Sequence, residues 1–545
     1  MKRHLTLPLI LLLTGFGFAY AQPLQEGKND IYYHRYISAE KFFNNYLMQH
    51  PSDGEAVLLL TKCYLVQHKL PEANTLMASA PSAKINDPYF LVATGAVCLA
   101  NGKNNDSCRS FFDQAIDMTK GKDPEILGAI AEMETISPNG NMRFALELIQ
   151  KAMKRSKYDA GLYVLMGNAY RNLHNGGEAF KAYITATQKN KSLAEAYYLL
   201  GKIFVSQNNP EMYVGYFNKA LDADPNYGPA MYELYRHYLY AKPDAQRAMQ
   251  YFKKYAAVSD KNVRHEYALT DLLYLNKEYA GAIKNAKNLI RAEKDSVEPR
   301  IYKLIGYSYA ESSDSLNALK FMHQYFQHGN DSDFIAKDFE TMAQLFKSMD
   351  DDQDSVVKYY QLAITISKNP AKLAQYYKDL AAIAAANKDY VAQAKWYRLY
   401  YSLKVDVSNV DLFNWGIAAY RSNNYALADS VFGLYTEKYP DQGFGYYWRA
   451  RTNAVIDTGM TAGLAVPYYS QLIEITERDS LSDTDKKWML EAYGYVAAYE
   501  ANTQKNYDKA IEYFDKILEI DPENGDALKY ISILEATIKK KEEIN

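Results

Sequence analysis

The sequence predicts an all-α protein built as an α-solenoid, a stack of helical hairpins, and three observations carry that expectation. Between Asp159 and Pro225 a pattern recurs at a fixed period: Gly167 to Gly201 is 201 − 167 = 34 positions, and Tyr170 to Phe204 is 204 − 170 = 34. A small residue, an aromatic three later and alanines further on, at a period of about 34, mark an array of helix-turn-helix units. The 545 residues include only 27 Gly and 17 Pro, and they show little of the period-two alternation of strands. Finally, 48% hydrophobic and 23% charged residues is the composition of a folded chain. An array can extend that composition over 545 residues without one large core.

Each element follows from the same spacing. Two antiparallel helices approach closely only where side chains are small, so Gly201 and Ala220 supply contact points and aromatics fill the holes beside them. Pro225 stops the second helix. Upstream, Asn29 to Pro51 reads as a starting cap with Ala39, Phe43, Tyr46 and Pro51, its first helix largely missing. Gly54 to Ala80 (Tyr64, Ala73) and Asp87 to Met118 (Gly95, Cys98, Phe112, Ala115) follow. In Glu125 to Met153, Ala145 and Ala152 fall one period before Ala179 and Ala186. Downstream, Tyr235 and Tyr238 lie one period beyond Gly201 and Phe204, and Ala248 and Phe252 come next. Val263 to Arg291, Glu298 to Phe326, Phe334 to Ser367, Ala371 to Leu403, Val410 to Pro440, Phe444 to Ile475 and Trp488 to Pro522 continue the series. The helix expected over 525–541 closes it, with Leu528, Ile531, Leu534 and Ile538 on one face and Lys539 to Lys541 at its C-terminal end. The expectation is about thirteen hairpins plus capping helices, continuous over 22–545, with bends at the polar segments 327–333 and 476–485.

The second hairpin of the best stretch reads Tyr197, Leu200, Gly201, Phe204, Phe217, Ala220 and Pro225. It resembles the tetratricopeptide repeat (TPR) family in that register, with Tyr213 where the family has alanine. The resemblance covers nearly all of the chain after the leader. It implies a right-handed superhelix, a non-enzymatic scaffold for protein–protein interaction, and a concave groove lined by the first helix of each hairpin. In the family register Asn168, Lys202 and Arg236 then occupy one groove position in successive repeats, flanked by Tyr198, Tyr232 and Arg171. Such a polar, cationic, aromatic-flanked stripe suits a carboxylate or an acidic peptide. The alternative is a solvated groove wall.

The first residues are read as a secretory signal peptide: Lys2, Arg3 and His4, an uncharged apolar run from Leu5 to Phe18, and Ala19-Tyr20-Ala21 before Gln22. Cleavage after Ala21 removes two basic residues, so the net charge of −3 becomes −3 − 2 = −5. No transmembrane segment is expected after it. The protein is expected in a bacterial periplasm, secreted, or at the inner side of an outer membrane. Nothing in the charge distribution favours nucleic acid.

No metal or cofactor is expected. Catalytic signatures such as GxSxG, HExxH or a phosphate-binding loop are absent. Asp350, Asp352 and Asp354 match the first ligand positions of a calcium loop, but Ser355 and Gln361 stand where glycine and glutamate are required. An acidic turn that caps the next helix is the stronger reading. Among three cysteines, Cys98 and Cys108 sit near the turn of one hairpin. A disulfide and two buried free thiols are both open there. The 51 tyrosines suit packing between hairpins. They also leave glycan or cell-wall polysaccharide binding as a second function class.

Overall fold

The computed structural model describes residues 24–79, 86–102, 105–349, 352–477 and 481–542. The expected leader Met1–Ala21, and Asp350 and Asp351 of the acidic turn, lie outside them. Among the described residues there are helices and turns and no strand.

The chain divides into two compact units, 1–297 and 298–545. Among the described residues the first holds eight hairpins: α1 (Gln25–Tyr32) with α2 (Tyr36–Gln49), α3 (Gly54–Val66) with α4 (Leu70–Ala78), α5 (Pro88–Ala100) with α6 (Asn105–Met118), and α7 (Pro124–Ile136) with α8 (Met142–Met153). Then come α9 (Ala160–Asn172) with α10 (Gly176–Lys189), α11 (Ala194–Ser206) with α12 (Pro210–Ala223), α13 (Gly228–Arg236) with α14 (Ala245–Val258), and α15 (Val263–Leu275) with α16 (Tyr279–Glu293). Among the described residues the second unit holds six: α17 (Arg300–Glu311) with α18 (Ser315–His328), α19 (Ala336–Met349) with α20 (Gln353–Ile366), and α21 (Pro370–Ala386) with α22 (Tyr390–Ser402). It continues with α23 (Asn409–Arg421) and α24 (Tyr425–Lys438), α25 (Gly443–Ile456) and α26 (Val466–Thr476), α27 (Asp483–Tyr499) and α28 (Tyr507–Ile520), then the closing helix α29 (Gly525–Glu542).

The expected hairpin series is therefore present, and α1 supplies a short first helix to the starting cap. The division falls at Val297 and Glu298, after a single turn of 3-10 helix at Lys294–Ser296. Residues 331–333 form another such turn, joining α18 to α19 inside the second unit. Asp352 caps α20 by accepting from the Ser355 amide at 3.0 Å.

Small residues set the spacing of the paired helices. A Cβ built on Gly95, Gly167, Gly201 or Gly416 would come within 2.3–2.5 Å of the ring of Phe112, Tyr183, Phe217 or Phe432 respectively. Each of these four rings is fully buried on the second helix of its own hairpin. The same turn recurs between helices: His34, His68, His174, Asn208, Lys277, Ser313, Lys388 and Asn423 all have φ near +60°. One left-handed residue there reverses the chain in a few residues.

The tyrosines are explained by neighbouring repeats. Tyr183, Tyr227, Tyr325, Tyr376 and Tyr469 are among the largest fully buried side chains. Several buried tyrosines place the hydroxyl on an acceptor: Tyr376 donates to Glu340 at 3.0 Å, and Tyr447 and Tyr469 both donate to Glu491 at 2.9 Å. A ring that fills a hole and a hydroxyl that satisfies a carboxylate are both supplied by one residue.

Candidate functional site on the inner face of the first unit

The first helices of successive hairpins line one face of the first unit, and the turn between α1 and α2 lies across it. Asp260, after α14, fixes that turn. Its carboxylate accepts from the amides of Ile37 and Ser38 at 2.8 and 3.2 Å, and from the Ser38 hydroxyl at 2.6 Å. These amides belong to the first turn of α2, whose own N-cap, Arg35, makes no side-chain cap bond. A residue more than 220 positions away in sequence thus serves as the cap. Further along the turn, the Tyr32 ring packs on Tyr227 at 5.3 Å, and its hydroxyl interacts with the backbone of Ala194 and Glu195 at the start of α11. Burial, with Asp224 and Glu195 nearby, pushes that hydroxyl's pKa up to about 12.

His34 stands at the tip, edge-on to Tyr198 and Tyr227 and stacked on Tyr36. It divides the face into two cavities, of about 390 and 350 Å³, which it and Tyr36 both line. Its surroundings lower its pKa to about 4, through burial first and Lys62 second. By surface area the ring remains open to these cavities, so water weakens that effect. The larger cavity is walled by α3, α7, α9 and α11 and carries Lys62, Glu132, Asn168 and Glu195 among apolar Leu59, Leu162 and Val164. Lys62 is hydrogen-bonded to Glu132. The smaller is walled by α11, α13 and the start of α15, and carries Tyr198, Tyr232, Glu233 and His265.

The structure brings the six predicted groove residues onto this face or its margin, with partners that the spacing did not reveal. Asn168 lines the larger cavity and accepts from the Tyr183 hydroxyl at 2.7 Å. Tyr198 and Tyr232 line the smaller one. Lys202 does not present a free charge: its ammonium pairs with Glu233 at 2.6 Å, and the Arg236 guanidinium lies 4.0 Å from the same carboxylate. The stripe is therefore neutralised at its centre, and the exposed cations are Arg171 and Arg236 at its margin. Glu233 belongs to a pattern. Lys202 meets an acid 31 residues on, and Glu340 meets Lys372 32 residues on, in each case from one first helix to the next.

Cys98 and Cys108 are joined, with α-carbons 5.4 Å apart, and Cys63 is a buried free thiol. Among the described residues no group of three or more His, Cys, Asp or Glu could hold a metal ion. Among the same residues, no helix is long and apolar enough to cross a membrane.

These features define a helical-hairpin repeat protein whose inner face carries two lined cavities. Residues 194–227 and 495–524 match the family model of the tetratricopeptide repeat. Those two tetratricopeptide repeats lie within an all-α series of hairpins of the same helix-turn-helix kind. No curated protein sequence matches it. Among solved structures it is similar to the C-terminal part of a TPR repeat-containing protein from Cytophaga hutchinsonii, at 26% identity over 49% of this chain and 99% of that one, TM-score 0.30. It is also similar to c5321, a protective antigen of uropathogenic Escherichia coli with an SLR fold, at 13% identity over 82% of this chain and 98% of that one, TM-score 0.38. A third is pilF of Pseudomonas aeruginosa, at 18% identity over 38% of this chain and 92% of that one, TM-score 0.30.

Proposed function

We propose that the protein is a non-catalytic scaffold of the bacterial cell envelope that takes a peptide segment of a partner protein along the inner face of its first unit. The observation that carries this is the pair of cavities beside His34, about 390 and 350 Å³, each lined by aromatic, aliphatic and a few charged side chains. Cavities of that size and mixed lining hold side chains of a bound chain rather than a flat protein surface. Repeat arrays bind extended partners along the face their first helices share. Arg171 and Arg236 stand at the margin, where acidic groups of the partner would meet them. Export to the envelope is supported by the basic start, apolar run and Ala19-Tyr20-Ala21. For the non-catalytic reading there is the sequence, which carries no GxSxG, HExxH or phosphate-binding loop. The polysaccharide alternative loses ground because so many tyrosine rings are spent on packing between hairpins.

The test is to pan the full chain against a random peptide library and titrate the selected peptides. Tyr232→Ala and Asn168→Ala, one in each cavity, should weaken them at least about tenfold, the effect of 1.4 kcal/mol. Peptides that bind both variants as tightly as the parent would place the interaction elsewhere.

A further inference from the structure

We infer that the larger cavity, between the His34 turn and helices α3, α7, α9 and α11, is a binding site for a primary ammonium on an aliphatic stem, such as a lysine side chain of the partner. The inference rests on the proposed peptide-binding role of this face and adds the chemistry of one subsite.

The charge on the walls is unbalanced. Lys62 is already engaged with Glu132, and Lys28 with Glu55 at 2.5 Å. Glu125 accepts from the Tyr89 hydroxyl at 3.0 Å, and Asp159 accepts from the Gly161 amide at 2.8 Å. Glu195 also lines the cavity, and among the described residues no side-chain or backbone donor is hydrogen-bonded to its carboxylate. Burial raises its pKa above the usual carboxylate range; Lys62 opposes that rise and Glu132 adds to it. Counting the six acids and bases on the walls, Lys28, Lys62, Glu125, Glu132, Asp159 and Glu195, the sum is 2 − 4 = −2.

A second, independent feature points the same way. Tyr227 is fully buried and its hydroxyl has no hydrogen-bond partner, although it interacts with Glu195, Tyr198, Tyr32 and Tyr36. The Glu195 carboxylate thus lines the cavity without a donor, and a fully buried hydroxyl that interacts with it also lacks a partner. The remaining walls select the class of cation. Tyr32 and Tyr36 offer aromatic rings, which attract an ammonium. Ile31, Leu59, Leu162, Val164 and Leu165 give a methylene stem an apolar passage. An anion would meet Glu132 and Glu195, and an uncharged aliphatic group would cover the half-buried Glu195 carboxylate without giving it a partner.

The experiment uses the full chain and calorimetric titration with Nα-acetyl-lysine amide, its uncharged analogue Nα-acetyl-norleucine amide, and Nα-acetyl-glutamate amide. The lysine probe should bind saturably, at least about tenfold more tightly than either of the others. Glu195→Gln, which keeps the shape, should remove that preference, and Glu195→Asp should restore most of it. Thermal melts of both variants check that they fold. Equal binding of the lysine and norleucine probes, or a preference that survives in Glu195→Gln, would overturn the inference. So would the absence of any binding of the lysine probe. The peptides selected in the library experiment separate the two ideas: peptides without lysine enrichment that bind this face leave the scaffold reading standing and remove the ammonium subsite, and no selected peptides remove both.

Discussion

Gly201 on α11 and Gly215 on α12 belong to one hairpin and make opposite demands on an added methyl group. A Cβ at Gly201 would lie 2.5 Å from Cε1 and 2.7 Å from Cδ1 of Phe217. Carbon atoms rest at about 3.5–4.0 Å, so the ring or the helix would have to move by about 1 Å. Phe217 is fully buried, so its ring cannot swing into solvent to make room. Overpacking of this kind costs about 1–3 kcal/mol, while replacing a mid-helix glycine with alanine returns about 1 kcal/mol. Gly201→Ala should therefore destabilise by about 0–2 kcal/mol. Gly215 has nothing within 4 Å of its added Cβ. Gly215→Ala should stabilise by up to about 1 kcal/mol, because only the propensity gain remains. The difference between the two variants, about 1–3 kcal/mol, isolates the close approach of the helices. Urea unfolding followed by circular dichroism measures it, and hydrogen exchange over 194–223 shows whether the loss is confined to that hairpin and its neighbours. If Gly201→Ala stabilised as much as Gly215→Ala, the glycine would not be a helix–helix contact, and the 34-residue register would be misplaced.

Other predictions follow from the same contacts. Unfolded, unreduced protein should titrate one thiol, Cys63, and three after reduction; three before reduction would exclude the Cys98–Cys108 bond. In the folded protein Cys63 should resist modification, because burial pushes its thiol up to about 12. His34 has its pKa lowered in the fold to about 4, so its contribution is present above the unfolded value near 6.5 and is lost as pH falls towards about 4. His34→Gln should flatten the fall in melting temperature between pH 7 and pH 4.5, and an identical pH profile would show that the imidazole does not report on folding. Lys202→Met should cost roughly 1–3 kcal/mol, because it leaves the Glu233 carboxylate, whose side chain is only 9% exposed, with only the Arg236 guanidinium at 4.0 Å. A melt unchanged by that substitution would mean that water already solvates Glu233. Asp260→Ala should cost about 1 kcal/mol by uncapping α2 and should raise hydrogen exchange over 24–49.

What the sequence made legible was local. A period near 34 sets hairpin positions because each hairpin packs mainly on its neighbours, so Gly201, Phe217 and Ala220 announce a contact inside one repeat. Closure of the first unit is a different kind of fact. Ser38 meets Asp260 across 222 positions, and His34 meets Tyr198 and Tyr227. No periodicity encodes such a contact, since it depends on how small rotations between hairpins accumulate. The groove charges show a signal that was present and unread. Lys202 has its acid 31 residues on, at Glu233, and the Glu340–Lys372 pair repeats the relation in the second unit. A search for opposite charges about one repeat apart would have found both. Glu195 carried no such mark: an acid in the first turn of a helix is ordinary, and only the surrounding walls show that its carboxylate lacks a donor.

The most direct test of the scaffold account is photocrosslinking in the native cell envelope, with a benzophenone side chain placed in turn at Tyr232, which lines the smaller cavity, and at Tyr158, which is 78% exposed between α8 and α9. The account predicts one recurrent protein adduct from position 232, lost when a selected library peptide is added in excess, and no such adduct from position 158. An adduct that forms from position 158 and not from 232, or one from 232 that the peptide leaves untouched, would contradict it.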